Sequence, residues 1–271
     1  MGVFTQLFAR LPAAVAVSPA AEAQPKAAPR TSARVVRSPD LLRLERAVLS
    51  YRTVRALDEV SFGLAEGELA FLVGPTGAGK TSVLRLLGGQ VRPTSGEVWV
   101  AGRRLDRARR GKLRQHRRSL GIVAHDPALV PMRTALENVA LAVEVVEMHL
   151  PRAEAMHRAE RELAALGLLR RAKAYPSELS AGERRRLAVA RALVRRPRLI
   201  LADEPTAELD PERGRMVLDR LAHAAAAGAT VLIATHDREL LKGIRARVLE
   251  LRRGRLVADE ERRARRFWLL N

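Results

Sequence analysis

The sequence predicts an α/β fold with a mainly parallel sheet, and three observations lead to this prediction. Apolar runs of strand length alternate with helix-forming stretches from about residue 43 onward, which is typical of parallel strands covered by helices. The glycine-rich stretch GPTGAGKT at 74–81 lies between one such run and a helix. A second apolar run, LILADE at 199–204, ends in two carboxylates.

The first 42 residues depart from this pattern. They are rich in Ala, Pro and Ser, with Glu22 and Asp40 as their only acids. We predict a flexible basic arm at 1–42, with a weak secretory signal or a transit-like segment as the alternatives. The apolar part is short and is interrupted by Pro12 and Pro19, which favours the flexible arm.

The first elements of the patterned region are a strand, a helix and a hairpin. ELAFLVG at 68–74 is an apolar run of strand length. KTSVLRLLGG at 80–89 has the composition of a helix and closes with two glycines, which commonly end helices. SGEVWVAGRRL at 95–105 has two strand-like arms around a glycine.

The second half continues the alternation. Residues 134–170 carry Ala, Leu and Glu at helical spacing. LSAGERRRLAVARALVRR at 179–196 predicts a capped helix, because Ser180 lies three residues before Glu183, as a capping box requires. The remaining predicted elements are a buried strand at 198–204, a helix at 211–227 and a buried strand at 229–237.

GPTGAGKT fits the phosphate-binding pattern G-x-x-x-x-G-K-[ST] in its expected place between a strand and a helix. Backbone N–H groups of such a loop converge on phosphate oxygens. Lys80 is predicted to reach the β and γ phosphates of ATP and Thr81 to bind Mg²⁺, whereas a glycine-rich turn that binds nothing is the alternative. The predicted nucleotide-binding residues of this stretch are Gly74, Pro75, Thr76, Gly77, Ala78, Gly79, Lys80, Thr81 and Ser82.

The two acids after LILA carry the second part of the predicted chemistry. Asp203, at the carboxyl end of the strand, is predicted to hold Mg²⁺ through water. Glu204 is predicted to act as the general base that polarises the attacking water. Taken alone, adjacent acids after a strand could equally begin a helix or a loop.

Three further motifs, taken with these two, resemble the ATP-binding cassette (ABC) ATPase family. LSAGE at 179–183 resembles the signature motif, AELD at 207–210 the D-loop and IATHD at 233–237 the switch histidine. The resemblance covers most of residues 43–250 and implies a P-loop NTPase core with an antiparallel β subdomain and a helical signature subdomain. The implied boundaries are an ATPase domain at 43–258, a helical subdomain at about 126–190 and a basic amphipathic tail at 259–271.

The resemblance also implies roles for single residues. Tyr51 lies where the family stacks an aromatic ring on adenine, although an ordinary strand tyrosine is the alternative. Asp210 belongs to the D-loop. His236 is the switch histidine that contacts the γ-phosphate, and it joins Lys80 and Glu204 as the implied catalytic residues.

A head-to-tail homodimer follows from the same resemblance. The helix that begins at Ser180 in one subunit would point its N–H groups at the γ-phosphate held by Lys80 of the other. Ala181 stands where the family most often has glycine, and we expect function to survive with some loss. The signature residues implied to act across the dimer are Ser180, Ala181, Gly182 and Glu183.

Within the family, RTALENVALAVEV, LADEPTAELD and LIATHD resemble the cell-division group FtsE. ATPases of lipoprotein-release and macrolide-export transporters are the next most similar. The FtsE resemblance implies a membrane subunit of FtsX type, docked on residues 126–150, through which dimer closure controls cell-wall hydrolases. It also implies a peripheral position on the cytoplasmic face of the inner membrane.

The formal net charge of +19 favours a polyanionic neighbour. An anionic membrane surface is the expected one, although an arginine-rich composition with a solvated surface explains the charge equally well. A soluble ABC ATPase acting on nucleic acid is a rival hypothesis; it is disfavoured because the chain has neither a long coiled-coil insertion nor a second cassette. Phe267, Trp268, Leu269 and Leu270 predict either an interfacial anchor or a segment packed on the domain.

His125, like Ala181, departs from the family's pattern at a position that the resemblance marks as active. The run SLGIVAHDPALV at 119–130 predicts a strand that ends at His125, where the family has the glutamine of the Q-loop. An imidazole binds Mg²⁺ less well than an amide oxygen does, and its charge changes between pH 5 and 8. We therefore hypothesise slow, pH-sensitive ATP turnover. The alternatives are a tolerated substitution or a regulatory module without turnover.

Overall fold

Two β-sheets organise residues 40–241 and 243–262, the part of the chain that the computed structural model describes. The strands are β1 (Leu42–Tyr51), β2 (Val54–Leu64), β3 (Leu69–Val73), β4 (Ser95–Val100), β5 (Arg103–Arg104), β6 (Leu120–Val123), β7 (Leu199–Asp203), β8 (Thr230–Thr235), β9 (Ala246–Arg252) and β10 (Arg255–Arg262). The α-helices are α1 (Lys80–Leu87), α2 (Arg110–Ser119), α3 (Ala135–Glu144), α4 (Arg152–Ala165), α5 (Ala181–Leu193) and α6 (Pro211–Ala226). Two short 3₁₀ turns lie between α4 and α5, and a third lies between β8 and β9.

The larger sheet has six strands in the order β10-β9-β3-β8-β7-β6. Its strands run parallel except for β10, which pairs antiparallel with β9. The smaller sheet is antiparallel, with the order β2-β1-β4-β5. The predicted parallel core and the hairpin at 95–105 are therefore both present.

The large sheet is buried on both faces. Successive side chains of a strand point to opposite faces, so Phe71 and Val73 pack with α3, α4, α5 and α6, whereas Ala70 and Leu72 pack with α1 and the antiparallel sheet. This burial on both faces explains why the central strands are continuous apolar runs in the sequence.

Residues 134–170, predicted to be mostly helix-forming, contain α3 and α4, and Pro151 is the N-cap of α4. One predicted boundary requires correction. The strand predicted to end at His125 ends at Val123, the last residue of β6 to pair with β7. Beyond it, the carbonyls of Ala124 and His125 accept hydrogen bonds from a side chain, that of Arg185.

The ends of the chain are described only in part. Residues 1–39, which make up most of the predicted arm, lie outside the described residues, and β1 begins at Leu42. The first four residues of the predicted tail form the end of β10, where Asp259 binds Arg247 through two hydrogen bonds of 2.6 Å. Residues 263–271, with the predicted anchor, lie outside the described residues.

Candidate active site

The loop between β3 and α1 has the backbone of an anion cradle. Gly77 and Gly79 have φ values of 79° and 105°, in the left-handed region that favours glycine. A Cβ at Gly79 would also lie 2.6 Å from the carbonyl oxygen of Ala56. Gly79 is the N-cap of α1 and provides no side-chain cap. N–H groups at the start of this helix are therefore free to bind phosphate oxygens.

Lys80 lies folded over this loop. Its Nζ donates hydrogen bonds to the carbonyl oxygens of Gly74 at 2.7 Å and Pro75 at 3.2 Å. The same nitrogen lies 3.8 Å from Oε1 of Glu204. The ammonium group thus lies between the phosphate loop and the Glu204 carboxylate. The Lys80 side chain is only 7% exposed.

Thr81 and Asp203 meet where α1 begins and β7 ends. Thr81 Oγ1 donates a hydrogen bond of 2.8 Å to Asp203 Oδ2. A hydroxyl and a carboxylate side by side are the hard oxygen donors that Mg²⁺ prefers. The described residues hold no cluster of three or more His, Cys, Asp or Glu side chains suited to a metal.

Glu204 is held by the end of β8. Its carboxylate accepts hydrogen bonds from Thr235 Oγ1 at 3.1 Å and from the backbone N–H of His236 at 3.0 Å. The His236 Nδ1 lies 2.8 Å from Oε1 of Glu204. Glu204 has a φ of 48°, an uncommon backbone conformation for a residue with a side chain. Strain of this kind is often found at functional sites.

The predicted capping box is formed at the start of α5. The N–H of Ser180 donates to Glu183 at 2.8 Å, and the N–H of Glu183 donates to the Ser180 hydroxyl at 3.2 Å. Burial opposes ionisation of Glu183, but the Ser180 hydrogen bonds together with the charges of Arg171 and Arg186 outweigh it and lower the pKa of this carboxyl. Ala181 and Gly182 are half-buried, and a Cβ at Gly182 would lie 3.0 Å from Leu209. The signature stretch therefore packs against the predicted D-loop.

Asp210 and Tyr51 lie on two different elements, at the start of α6 and at the end of β1. Asp210 caps α6 through a 3.0 Å hydrogen bond from the N–H of Arg213, and this bond lowers the pKa of its carboxyl. Tyr51 ends β1 beside the turn into β2 and is 38% exposed, so its ring is available for stacking. Within the described residues, no hydrogen bond or ion pair joins Ser180 to Lys80 or Glu204.

His125 lies exposed in the loop after β6. The guanidinium of Arg185 donates from Nη1 to the carbonyl oxygens of His125 at 2.6 Å and Ala124 at 3.1 Å. Arg191, also on α5, donates to the carbonyl oxygens of Pro127 at 2.5 Å and Ala128 at 2.8 Å. Sequence reasoning missed both arginines. The available signal was a run of arginines in a helix with a buried face, but it does not indicate what they bind.

Comparison with known proteins identifies the cassette. A family model described as "ABC transporter" matches residues 57–207. The chain is 43% identical over 208 residues to "Cell division ATP-binding protein FtsE" of Mycobacterium tuberculosis, covering 76% of this chain and 89% of the relative. The FtsE of Streptococcus pneumoniae is 38% identical over the same shares of each chain. "Methionine import ATP-binding protein MetN" of Mesorhizobium japonicum is 38% identical, but the match covers 84% of this chain and 62% of that protein.

Solved structures agree with the sequence matches. A dimeric, post-hydrolysis state of the ATP-binding cassette MJ0796 bound to ADP and Pi superposes with a TM-score of 0.77 at 31% identity, over 81% of this chain and 98% of that one. A second dimeric structure of the same cassette gives a TM-score of 0.75. The predicted fold class is thus confirmed.

Proposed function

Because the chain belongs to the ABC transporter ATPase family and is therefore an ATP-hydrolysing enzyme, we propose that it is the nucleotide-binding subunit of a membrane complex of the FtsE–FtsX type. The observation that carries this proposal is the 43% identity to an FtsE along 89% of that protein's length. Methionine import is the second candidate, since MetN relatives are also similar. It is the less favoured candidate because the identity to that MetN is 38%, against 43% to the FtsE of Mycobacterium tuberculosis.

The loop geometry supports a role for each residue at the phosphates. N–H groups at the start of α1 would hold the phosphate oxygens, and Lys80 would turn from the carbonyls of Gly74 and Pro75 toward the β and γ phosphates. Thr81 and Asp203 would hold Mg²⁺, which when bound neutralises charge on the phosphate oxygens. Tyr51 would stack on adenine.

Glu204 is placed to act on water. Water attacks the γ-phosphorus, the bond to the β–γ bridging oxygen breaks, and the proton of the water passes to the Glu204 carboxylate. Thr235 and His236 orient that carboxylate. A neutral His236 that donates from Nδ1 keeps Nε2 as an acceptor, so only the protonated ring would donate to phosphate while bound to Glu204.

A second copy of the chain would complete the site. The exposed Ser180 end of α5 would face the γ-phosphate bound to the partner, with Asp210 and the D-loop beside it. Both MJ0796 structures are dimers, which supports this arrangement. Ala181 would bring one methyl group close to the phosphate.

The membrane subunit would carry the link to the bilayer. No helix in the described part of the chain combines the length and apolar character that crossing a membrane requires. We place the subunit on the cytoplasmic face of the inner membrane, docked through residues 126–150 on an FtsX-type partner that controls cell-wall hydrolases. Nucleic acid is not an expected partner.

Two variants and one purification test the proposal. Lys80→Ala should abolish Mg-ATP binding, and unchanged binding would disprove the phosphate-loop assignment. Glu204→Gln should give an ATP-bound dimer in gel filtration, and a persistent monomer in saturating ATP would contradict the composite site. Co-purification from membranes with an FtsX-type protein is the expected result. Recovery of a methionine-import permease instead would overturn the assignment to cell division.

A further inference from the structure

Positive charge is concentrated in one short stretch of the chain. Residues 103–118 contain nine arginine or lysine residues and one acid, Asp106, so they carry eight of the nineteen net positive charges. The stretch begins in β5 and runs through the following loop and most of α2. We name it the basic surface.

Most of these cations are exposed and lack a carboxylate partner. Asp106 is half-buried and binds Arg104 at 2.7 Å. Of the exposed cations, only Arg107 lies within ion-pair distance of an acid in the described residues, 3.8 Å from the same Asp106. The exposed side chains are Arg103, Arg107, Arg109, Arg110, Lys112, Arg114, Arg117 and Arg118.

The absence of carboxylate partners distinguishes α2 from other helices of the described chain. On α4, Arg158 lies 2.9 Å from Glu154 and 3.0 Å from Glu147, and on α6 Arg215 lies 2.9 Å from Asp219. No cation of α2 lies within ion-pair distance of an acid in the described residues. Like charges in one helix also repel one another, so the arrangement costs stability unless an anion binds.

The packing of α2 directs its charges outward. Leu113 and His116 are the buried residues of this helix, and the His116 Nε2 lies 2.8 Å from the carbonyl oxygen of Leu87. The other apolar side chain of bulk in the basic surface, Leu105, is buried too. The surface thus presents charge without apolar groups that could enter a hydrocarbon layer. Its chemistry suits phosphate groups at a surface.

We propose that the basic surface binds the phosphate groups of anionic lipids and so holds the subunit against the inner leaflet. This inference rests on the proposed function, because a membrane partner brings the chain to that leaflet. Duplex nucleic acid also presents phosphates, but Gln115 is the only neutral polar side chain of the surface with donors and acceptors for reading bases. Lipid phosphate is therefore the better match.

Vesicle flotation of the full chain tests the proposal. Vesicles with about one third phosphatidylglycerol should bind the wild type, and vesicles of phosphatidylcholine alone should not. The variant Arg110→Gln, Arg114→Gln, Arg118→Gln should bind the anionic vesicles about 100-fold less tightly. A matched control, Arg170→Gln, Lys173→Gln, Arg245→Gln, removes three exposed cations elsewhere and should stay within about threefold of wild type. Both variants leave residues 1–39 and 263–271 unchanged, so any binding by the chain termini contributes equally to both.

The outcomes separate this proposal from the proposed function. Equal loss in both variants, or no flotation of wild type, would overturn the basic surface as a lipid site. Tighter binding to a DNA duplex than to anionic vesicles, lost in the α2 variant, would replace lipid by nucleic acid. ATP turnover should be the same in the α2 variant and the wild type, and the melting temperature of the variant should be equal or higher, because removing like charges relieves their repulsion. A wild type that floats but hydrolyses no ATP would contradict the proposed function alone.

Discussion

Arg185→Gln is the variant that should show how the signature helix and the His125 loop depend on each other. Arg185 is 4% exposed, and its Nη1 donates to the carbonyl oxygens of Ala124 and His125. These carbonyls lie just beyond β6, where strand pairing has ended. Removing the guanidinium should therefore release the backbone that carries His125.

The expected magnitude follows from these contacts. A hydrogen bond from a charged group contributes about 1.5–3 kcal/mol, and one nitrogen here serves two acceptors. The Arg185 Nε is buried without a partner, which offsets part of that gain. We expect a loss of about 2 kcal/mol, or a fall in melting temperature of about 4–8 °C. A loop displaced by about 1 Å near the reacting atoms can lower turnover by up to about 100-fold.

The assay combines calorimetry, ATP binding and steady-state turnover. The Kd for ATP should change less than about twofold, since Lys80 and its loop are unaffected, while kcat falls at least about tenfold. Arg195→Gln is the matched control. Arg195 also donates to a backbone carbonyl oxygen, that of Arg118, which lies before β6, whereas the carbonyls bound by Arg185 lie after β6. It should lower stability but leave kcat intact.

A double-mutant cycle with His125→Ala decides the mechanism. If Arg185 acts by placing His125, Arg185→Gln should have little further effect on kcat once the imidazole is gone. Fully additive losses would refute the reasoning, as would an equal fall in kcat for Arg195→Gln. Amide hydrogen exchange at residues 124–126 and 128 should rise in Arg185→Gln whether or not the preparation hydrolyses ATP.

Three further predictions concern other parts of the chain. Burial lowers the pKa of His116 below its unfolded value of 6.5. The unfolded chain therefore binds the proton more readily, and stability should fall as pH drops below 6.5. The difference between the urea midpoints at pH 7.5 and 5.5 should be smaller in His116→Gln than in the wild type. Arg247→Ala should lower the free energy of unfolding by about 3–5 kcal/mol, because it leaves Asp259 without the partner that binds it through two hydrogen bonds. A loss below about 1 kcal/mol in urea denaturation would contradict this. His125→Gln should raise ATP turnover and flatten its decline below pH 7, and superimposable pH profiles would end the hypothesis of an altered sensor.

Local patterns in the sequence were sufficient for the core strands and for the local geometry at the starts of α1 and α5. The run at 68–74 and the glycines after it predict β3 and the phosphate loop, because both depend on neighbours in sequence. The capping box of Ser180 and Glu183 is likewise a three-residue relation, and its hydrogen bonds are present. Such features need no knowledge of distant contacts.

The features that sequence reasoning missed depend on contacts between distant residues. The end of β6 was placed at His125 because the apolar run continues to Ala124. The backbone leaves the sheet earlier, since its carbonyls bind Arg185, sixty residues further along the chain. The basic surface was missed for a related reason: a net charge of the whole chain does not indicate which cations remain unpaired after folding.

The position of Arg185 on α5 suggests why this contact matters for hydrolysis. Ser180 caps the end of α5 that would face the partner's γ-phosphate, and Arg185 lies five residues along the same helix. At 1.5 Å per residue the two are separated by about 7.5 Å of rigid helix. A shift of the Ser180 end on dimer closure must therefore move the guanidinium and, through it, the backbone of His125. Arg185→Gln should break that link even in a dimer that closes normally. The double variant Glu204→Gln, Arg185→Gln should therefore still dimerise in ATP, while the amides of residues 124–126 and 128 no longer gain protection from hydrogen exchange on closure.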